Sequence, residues 1–329
     1  MKAILGIDIA KLSFDIALLI EKKIYCKKFT NNQSGFNKLE LWLQSKKITT
    51  AHACLEATGN YGLGLAEWLD ERRFVVSIVN PAIIKGFAQS QLTRNKTDKA
   101  DAKLIARFTQ ALTPQAWIPT RTEIRELRAL VDRCENLKCM VVQEKNRLDM
   151  QRNEEVRQSI KEHIMWLERE LKELEEAIQQ KIDNDPDLKN QNELLQSIPG
   201  IGEKTSATVL AYVAFENFKS AKEISAFIGV NPRQRTSGTS VCGRTRLSKT
   251  GNAYLRKSLY MPSLSALRFN DTIKIFAKQL ALNGKAKMVI IGAVMRKLVH
   301  LMYGVIKSGK AFDLTHSNHK KFLIGKNVA

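Results

Sequence analysis

Four carboxylates in this sequence stand where chemistry could be done. Asp8 lies within GIDIAK, Glu56 within LEATGNYG, and Asp98 and Asp101 within NKTDKADAKLIARF. The last two are three residues apart among Arg94, Lys96, Lys99, Lys103 and Arg107. Taken alone, such a pair reads as ion pairing at i,i+3 and i,i+4 on a solvated helix face, which contributes little. Asp8 alone reads as a turn cap, and Glu56 alone as half of a buried ion pair. At neighbouring strand ends and on one helix face, the four form a different pattern. Hard oxygen donors suit Mg²⁺, and two such ions can hold the attacking and leaving oxygens of a phosphoryl transfer. Arg94 and Lys96 would then face the phosphates. Gly6 and Gly59 would allow close approach near two of the acids.

The elements that must position these acids follow from periodicity. AILGIDIA, SFDIALLI and KIYCKKFT, with turn signals at 11–13 and 21–23, read as three short antiparallel strands. SGFNKLELWLQSK (34–46) spaces Phe36, Leu39, Trp42 and Leu43 as a helix does. TTAHACLEA (49–57) reads as a strand ending at Glu56, GLAEWLDERR as a helix, and FVVSIVN (74–80) as a strand closed by Pro81. The order β-β-β-α-β-α-β, then the helix of Asp98 and Asp101, predicts an α/β sheet opened by an antiparallel meander. Across 123–181, leucines recur at helical spacing (Leu127, Leu130 and Leu137, then Leu167, Leu171 and Leu174) amid dense mixed charge. That predicts two long helices forming a hairpin or coiled-coil arm. IDNDPDLKN (182–190) is a polar breaker and the expected domain boundary.

Charge identifies the class of partner. The formal net charge is +20, and residues 201–329 carry 22 Lys and Arg against 5 Asp and Glu, a net of +17. No carboxylate occurs between Glu223 and Asp271, where eight Arg or Lys stand. A field of one sign at this density points to a polyanion, of which nucleic acid is the usual one. Within it, Gly200 and Gly202 of IPGIGEK let backbone N–H groups approach a phosphate, with Lys204 and a helix N-terminus behind them. A plain helix–helix turn is the alternative. A loop rich in Gly, Ser and Thr follows, holding Arg233, Arg235, Arg244, Arg246 and Lys249. By residue type alone, it reads as a contact to the DNA backbone. MVIIGAVMRKLVHLMYGVIKSG has the spacing of a buried packing helix.

Other classes are poorly supported. The five cysteines (Cys26, Cys54, Cys134, Cys139 and Cys242) are odd in number and scattered without a CxxC, so neither a disulfide framework nor a zinc ribbon is expected. The five histidines form no ligand cluster. Asp8, Lys11 and Asp15 interrupt the apolar N-terminus, so it is no signal peptide. No apolar run reaches the roughly 18 to 20 residues of a membrane span. A cytoplasmic protein without a membrane partner is expected.

The motifs GIDIAK, EATGNYG, NPAIIKGFAQSQLTRNKTDKADAKLIARF, LLQSIPGIGEKTSA and RQRTSGTSVCGRTRLSKTGNAYLRKSLYMPSL run in this order over nearly the whole chain. Together they resemble the DEDD transposases of the insertion-sequence "one-ten" family, recombinases guided by a bridge RNA. The resemblance implies a RuvC-like, ribonuclease H-type α/β domain (1–122), a helical coiled-coil arm (123–186) and a mainly α-helical basic transposase domain (187–329). It implies that Asp8, Glu56, Asp98 and Asp101 hold Mg²⁺. The family's serine nucleophile falls on Ser237, directly before the glycine and five residues after Pro232, with Ser240 in reserve and Ser248 further on. The implied activity is site-specific DNA recombination through a 5′-phosphoserine link. The implied partners are donor and target double-stranded DNA, a bridge-type guide RNA and further copies of the chain, from dimer to tetramer. Two other readings compete: a metal-dependent Holliday-junction nuclease whose serine loop only binds, and a non-catalytic RNA-binding protein. Four converging acids speak against the second.

Overall fold

A computed structural model describes residues 3–57, 59, 61–91, 97–237 and 241–313, with the backbone path alone at 235–237, 241, 242 and 244. The chain forms two compact units, Met1–Pro119 and Thr120–Ala329.

The first unit is built on a five-stranded sheet of order β3-β2-β1-β4-β5. β1 (Ala3–Ile9), β2 (Ser13–Ile20) and β3 (Lys23–Thr30) form the expected antiparallel meander. β4 (Ala51–Glu56) and β5 (Val75–Val79) extend it in parallel on the far side of β1. As the central strand, β1 has both faces covered, which is why its run AILGIDI is nearly all apolar instead of alternating. One face buries Leu5, Ile7, Phe14, Ile16 and Leu18 against α1 (Gln33–Ser45) and α2 (Leu63–Glu71). Each such side chain contributes about 1.5–3 kcal/mol. The other face packs Cys54 and Val79 against Ile84 and Ile105, from α3 (Pro81–Ser90) and α4 (Asp98–Leu112).

α3 was not anticipated. Pro81 does end β5, but it also occupies the first helical position, where its missing N–H is no loss, behind the cap Asn80. α4 is capped by Thr97, whose hydroxyl accepts from the Ala100 N–H, so Asp98 and Asp101 fall in its first turn. Carboxylates are favoured there by the helix dipole.

The second unit opens with the long helices α5 (Thr122–Met150) and α6 (Glu154–Asn184), which pack along Leu137, Val141 and Leu167. The root of this hairpin shares a core with the helices that follow: Ile124, Leu127, Ile178 and Ile182 pack with Leu195, Ile198 and Leu298. The breaker at 182–190 is a corner, because Asp185 caps α7 (Pro186–Gln196) and also binds Arg121 at 2.6 Å. Then come α8 (Glu203–Tyr212) and α9 (Ala221–Ile228). The expected Gly/Ser/Thr loop is instead an antiparallel ribbon of β6 (Pro232–Ser237) and β7 (Val241–Leu247). Its residues are mostly polar, so no apolar alternation marked it in the sequence. α10 (Ala253–Ser258), α11 (Tyr260–Phe269), α12 (Asp271–Leu282) and α13 (Lys287–Ser308) complete the unit. By length and composition α13 could cross a membrane, which corrects the expectation that no such run exists. Its Val294, Leu298, Val299, Met302 and Val305 are nevertheless buried in the core of this unit.

Candidate active site

Strand register assembles the first group of residues. Asp8 stands opposite Asp15 across β1 and β2, and Asp15 stands opposite Lys28 across β2 and β3. Opposed residues share a face, so the three form a row at one end of the sheet. Glu56 ends β4, the parallel neighbour of β1. α4 brings Asp98 and Asp101 to the same group, because it lies against β1 and β2 more closely than side chains would permit. A Cβ at Gly6 would stand 2.2 Å from the Ala102 carbonyl oxygen and 2.3 Å from the Ala106 nitrogen. Ala17, Ala102 and Ala106 line the rest of this contact and are fully buried. Gly6 thus serves the approach of a helix to its strand. Gly59 has a φ of +59° and open space around it.

The electrostatics record the crowding. Burial, then the charges of Asp101, Asp98, Glu56 and Asp15 in that order, push the Asp8 carboxyl up from 3.8 to about 6. Lys28 Nζ lies 3.1 Å from Asp15 Oδ2 and 3.5 Å from Asp98 Oδ2. Its hydrogen bond and charge interaction with Asp15 hold the ammonium above its ordinary range, with Asp98 adding to the effect. Among the described residues, no three Asp, Glu, His or Cys side chains converge closely enough to hold a metal ion. In chemistry the group still fits one: its donors are all hard oxygens, and a divalent cation would relieve the repulsion that raises Asp8. Reaching ligand distance would require side-chain rotation within the cluster. Asp15 and Lys28 are members that the sequence reading missed; only the pairing of the meander reveals them. Arg94 and Lys96 lie outside the described residues.

The second group lies in the other unit. Ser237 is the last residue of β6, at the tip of the ribbon, and its side chain, like that of Arg235 and Arg244, lies outside the described atoms. Ser240 lies outside as well. Arg233 and Arg246 are paired in register across the ribbon, and both are exposed. Lys249, also exposed, follows the ribbon and donates its backbone N–H to Gly229. The ribbon root is held by Arg256, which donates to the Ile228 carbonyl at 3.0 Å.

The turn between α7 and α8 divides the roles of its residues. Gly200 has a φ of +109°, and a Cβ there would meet the Ala266 Cβ of α11 at 2.7 Å, so packing explains this glycine. Gly202 is exposed at the N-cap of α8. Lys204 is ion-paired with Glu175 of α6 at 2.7 Å.

Comparison with known proteins bears on both groups. Residues 5–151 match the family model of DEDD transposases of IS110 elements, described as "Transposase". Residues 192–278 match the model described as "Transposase IS116/IS110/IS902 family". The chain is 35% identical over 317 residues to the "Pilin gene-inverting protein" of Moraxella bovis, an alignment that covers 95% of this chain and 98% of that protein. The protein of the same name from Moraxella lacunata matches to the same extent. A shorter match, 40% identical over 75 residues, covers 22% of this chain and 20% of the "Transposase for insertion sequence element IS1111A" of Coxiella burnetii.

Proposed function

The chain belongs to the IS116/IS110/IS902 family of transposases, and from that premise we propose that it is a site-specific DNA recombinase that cuts and rejoins strands through a serine. The observation that carries the reading is the gathering of Asp101, Asp98 and Glu56 around a partly buried Asp8, whose carboxyl is raised to about 6 by burial first and then by these charges. A partly buried carboxyl crowded by like charges is suited to a cation.

In the proposed reaction the Ser237 hydroxyl oxygen bonds to a scissile phosphorus. The DNA 3′-oxygen leaves with a proton, and the 5′-phosphate remains on the serine. Attack by a 3′-hydroxyl reverses the step and reseals the strand, so no nucleotide is consumed. Asp8, Glu56, Asp98 and Asp101 would hold Mg²⁺, which when bound would supply charge neutralisation to a phosphate. Arg233 and Arg246, with Arg235, Arg244 and Lys249 nearby in sequence, hold the flanking phosphates. Gly202 offers a further backbone contact at the start of α8.

By residue range, the acids (1–122), the helical arm (123–186) and the basic serine-bearing segment (187–329) divide the labour between metal chemistry, association of copies and DNA handling. Strand exchange between two duplexes needs several active sites, hence a dimer or tetramer. Sequence reading is assigned to a guide RNA through base pairing, a strategy in which the protein reads backbone and shape.

A cleavage assay with donor and target DNA, Mg²⁺ and guide RNA tests this, scored on denaturing gels for a covalent protein–DNA adduct. Wild type is expected to form the adduct, while Ser237→Ala and Asp98→Ala both lose it. Cuts without an adduct, undiminished in Ser237→Ala, would make the protein a metal nuclease acting through water.

A further inference from the structure

Behind the ribbon, the second unit holds a cavity of about 490 Å³ that neither the acids nor the serine occupies. Its size falls in the range of small-molecule sites. Leu247 of β7, Phe276 of α12 and Val289 of α13 form apolar walls. Val289 is half exposed, as expected of a surface that awaits a partner. Cations line the same space, Arg246 from the ribbon and Arg296 from α13, with the imidazole of His300 beside them. No carboxylate is found among the described residues that line it.

The Arg296 Nε and His300 Nε2 atoms are both shut off from solvent, and neither has a hydrogen-bond partner among the described residues. Both residues are otherwise only partly buried, so it is the accessible remainder of each side chain, and not these two nitrogens, that faces the space. Burial, followed by Arg296, Lys297 and Lys222, lowers the His300 pKa, which favours the neutral ring able to donate or accept. Apolar walls and a positive rim suit a flat, partly polar body that carries a phosphate.

Position then selects among such bodies. Pro232 and Leu247, partners at the ribbon root, both line the cavity. Ser237 ends the same strand, about 17 Å further along at roughly 3.3 Å per residue. A DNA strand laid along the ribbon with its scissile phosphate at the tip would carry a nearby nucleotide past the cavity mouth. We propose that this cavity receives one unstacked nucleotide of that strand: base between the apolar walls, phosphate at Arg246, base edge at Arg296 and His300. The inference rests on the reading of the chain as a DNA recombinase. It adds that the cut is positioned by capture of a base, which fixes the strand's register as extrusion does in enzymes that act on bases.

The test uses full-length protein with its guide RNA and DNA oligonucleotides carrying 2-aminopurine at successive positions around the cleavage site, with RNA strands of matching sequence in place of the DNA as the comparison. Fluorescence of this base rises when it leaves the stack. On binding, a several-fold rise is expected at one position only. Ala293→Phe, which fills the cavity from α13, should abolish that rise while binding and its salt dependence persist. Arg296→Ala serves as the second variant should thermal melting show that Ala293→Phe is misfolded, and it should weaken the rise. DNA that binds without a rise at any position, or a rise unchanged in both variants, overturns the proposal. A rise with RNA but not DNA overturns the assignment to DNA. Failure of the wild type to bind DNA at low salt would refute the recombinase reading itself, and this inference with it.

Discussion

Asp8 is held in a setting that opposes its charge. Its carboxyl titrates near 6 in the fold and near 3.8 when the chain is unfolded. Between those values the folded state binds more protons, so stability falls as pH rises through the window from about 4 to 6, and the loss is complete above it. Because the carboxyl is partly open to water, the loss is on the order of 1–2 kcal/mol after screening. Asp8→Asn should therefore melt higher than wild type in EDTA at about pH 7.5, and the gap should narrow at about pH 4.5. Mg²⁺ should raise the wild-type melting temperature and leave that of Asp8→Asn nearly unchanged; equal melting at pH 7.5 in EDTA would contradict the crowding argument. At this scale much of the acid cluster was legible, since Asp8 and Glu56 end predicted strands and Asp98 and Asp101 share a helix face. Asp15 and Lys28 were not, because their place depends on which residues face each other across β1, β2 and β3.

Among the elements, α4 depends on what β1 lacks. Gly6→Val would drive side-chain atoms into the Ala102 and Ala106 backbone, moving the helix that carries two of the acids. Overpacking of this kind costs about 1–3 kcal/mol. The variant should lose adduct formation, while chemical denaturation followed by far-UV circular dichroism shows the second unit, whose core is separate, unfolding as in wild type. Wild-type cleavage by Gly6→Val would show that close helix–strand packing does not position the site. Sequence periodicity captured the meander, α1, α2 and the long hairpin, all of which bury an apolar face. It failed where that signal is weak or double. Pro81 both stops a strand and starts a helix, and the β6–β7 ribbon has polar residues on its exposed positions. At Gly200 the sequence left two readings open, since a glycine required by contact with Ala266 resembles one that admits a phosphate.

At the scale of the whole molecule, the uneven charge was fully legible, because it is a property of composition. The sharing of a core between Leu127 and Leu298 was not, since contacts so distant in sequence leave no local mark. The charge sets a measurable expectation: affinity for DNA should fall steeply with salt, each neutralised phosphate adding about 0.9 to the slope. Replacing Arg233 and Arg246 together with alanine should lower that slope by about 2. An unchanged slope in a filter-binding titration would remove the ribbon from the DNA surface. The separation of the two cores also gives Gly6 a genetic meaning. Every missense change one base from a glycine codon adds at least a Cβ, so each would strike the Ala102 carbonyl. A copy of the gene inherited with such a change would encode a protein that still grips DNA and cannot cut it, a silent occupant competing with its active siblings.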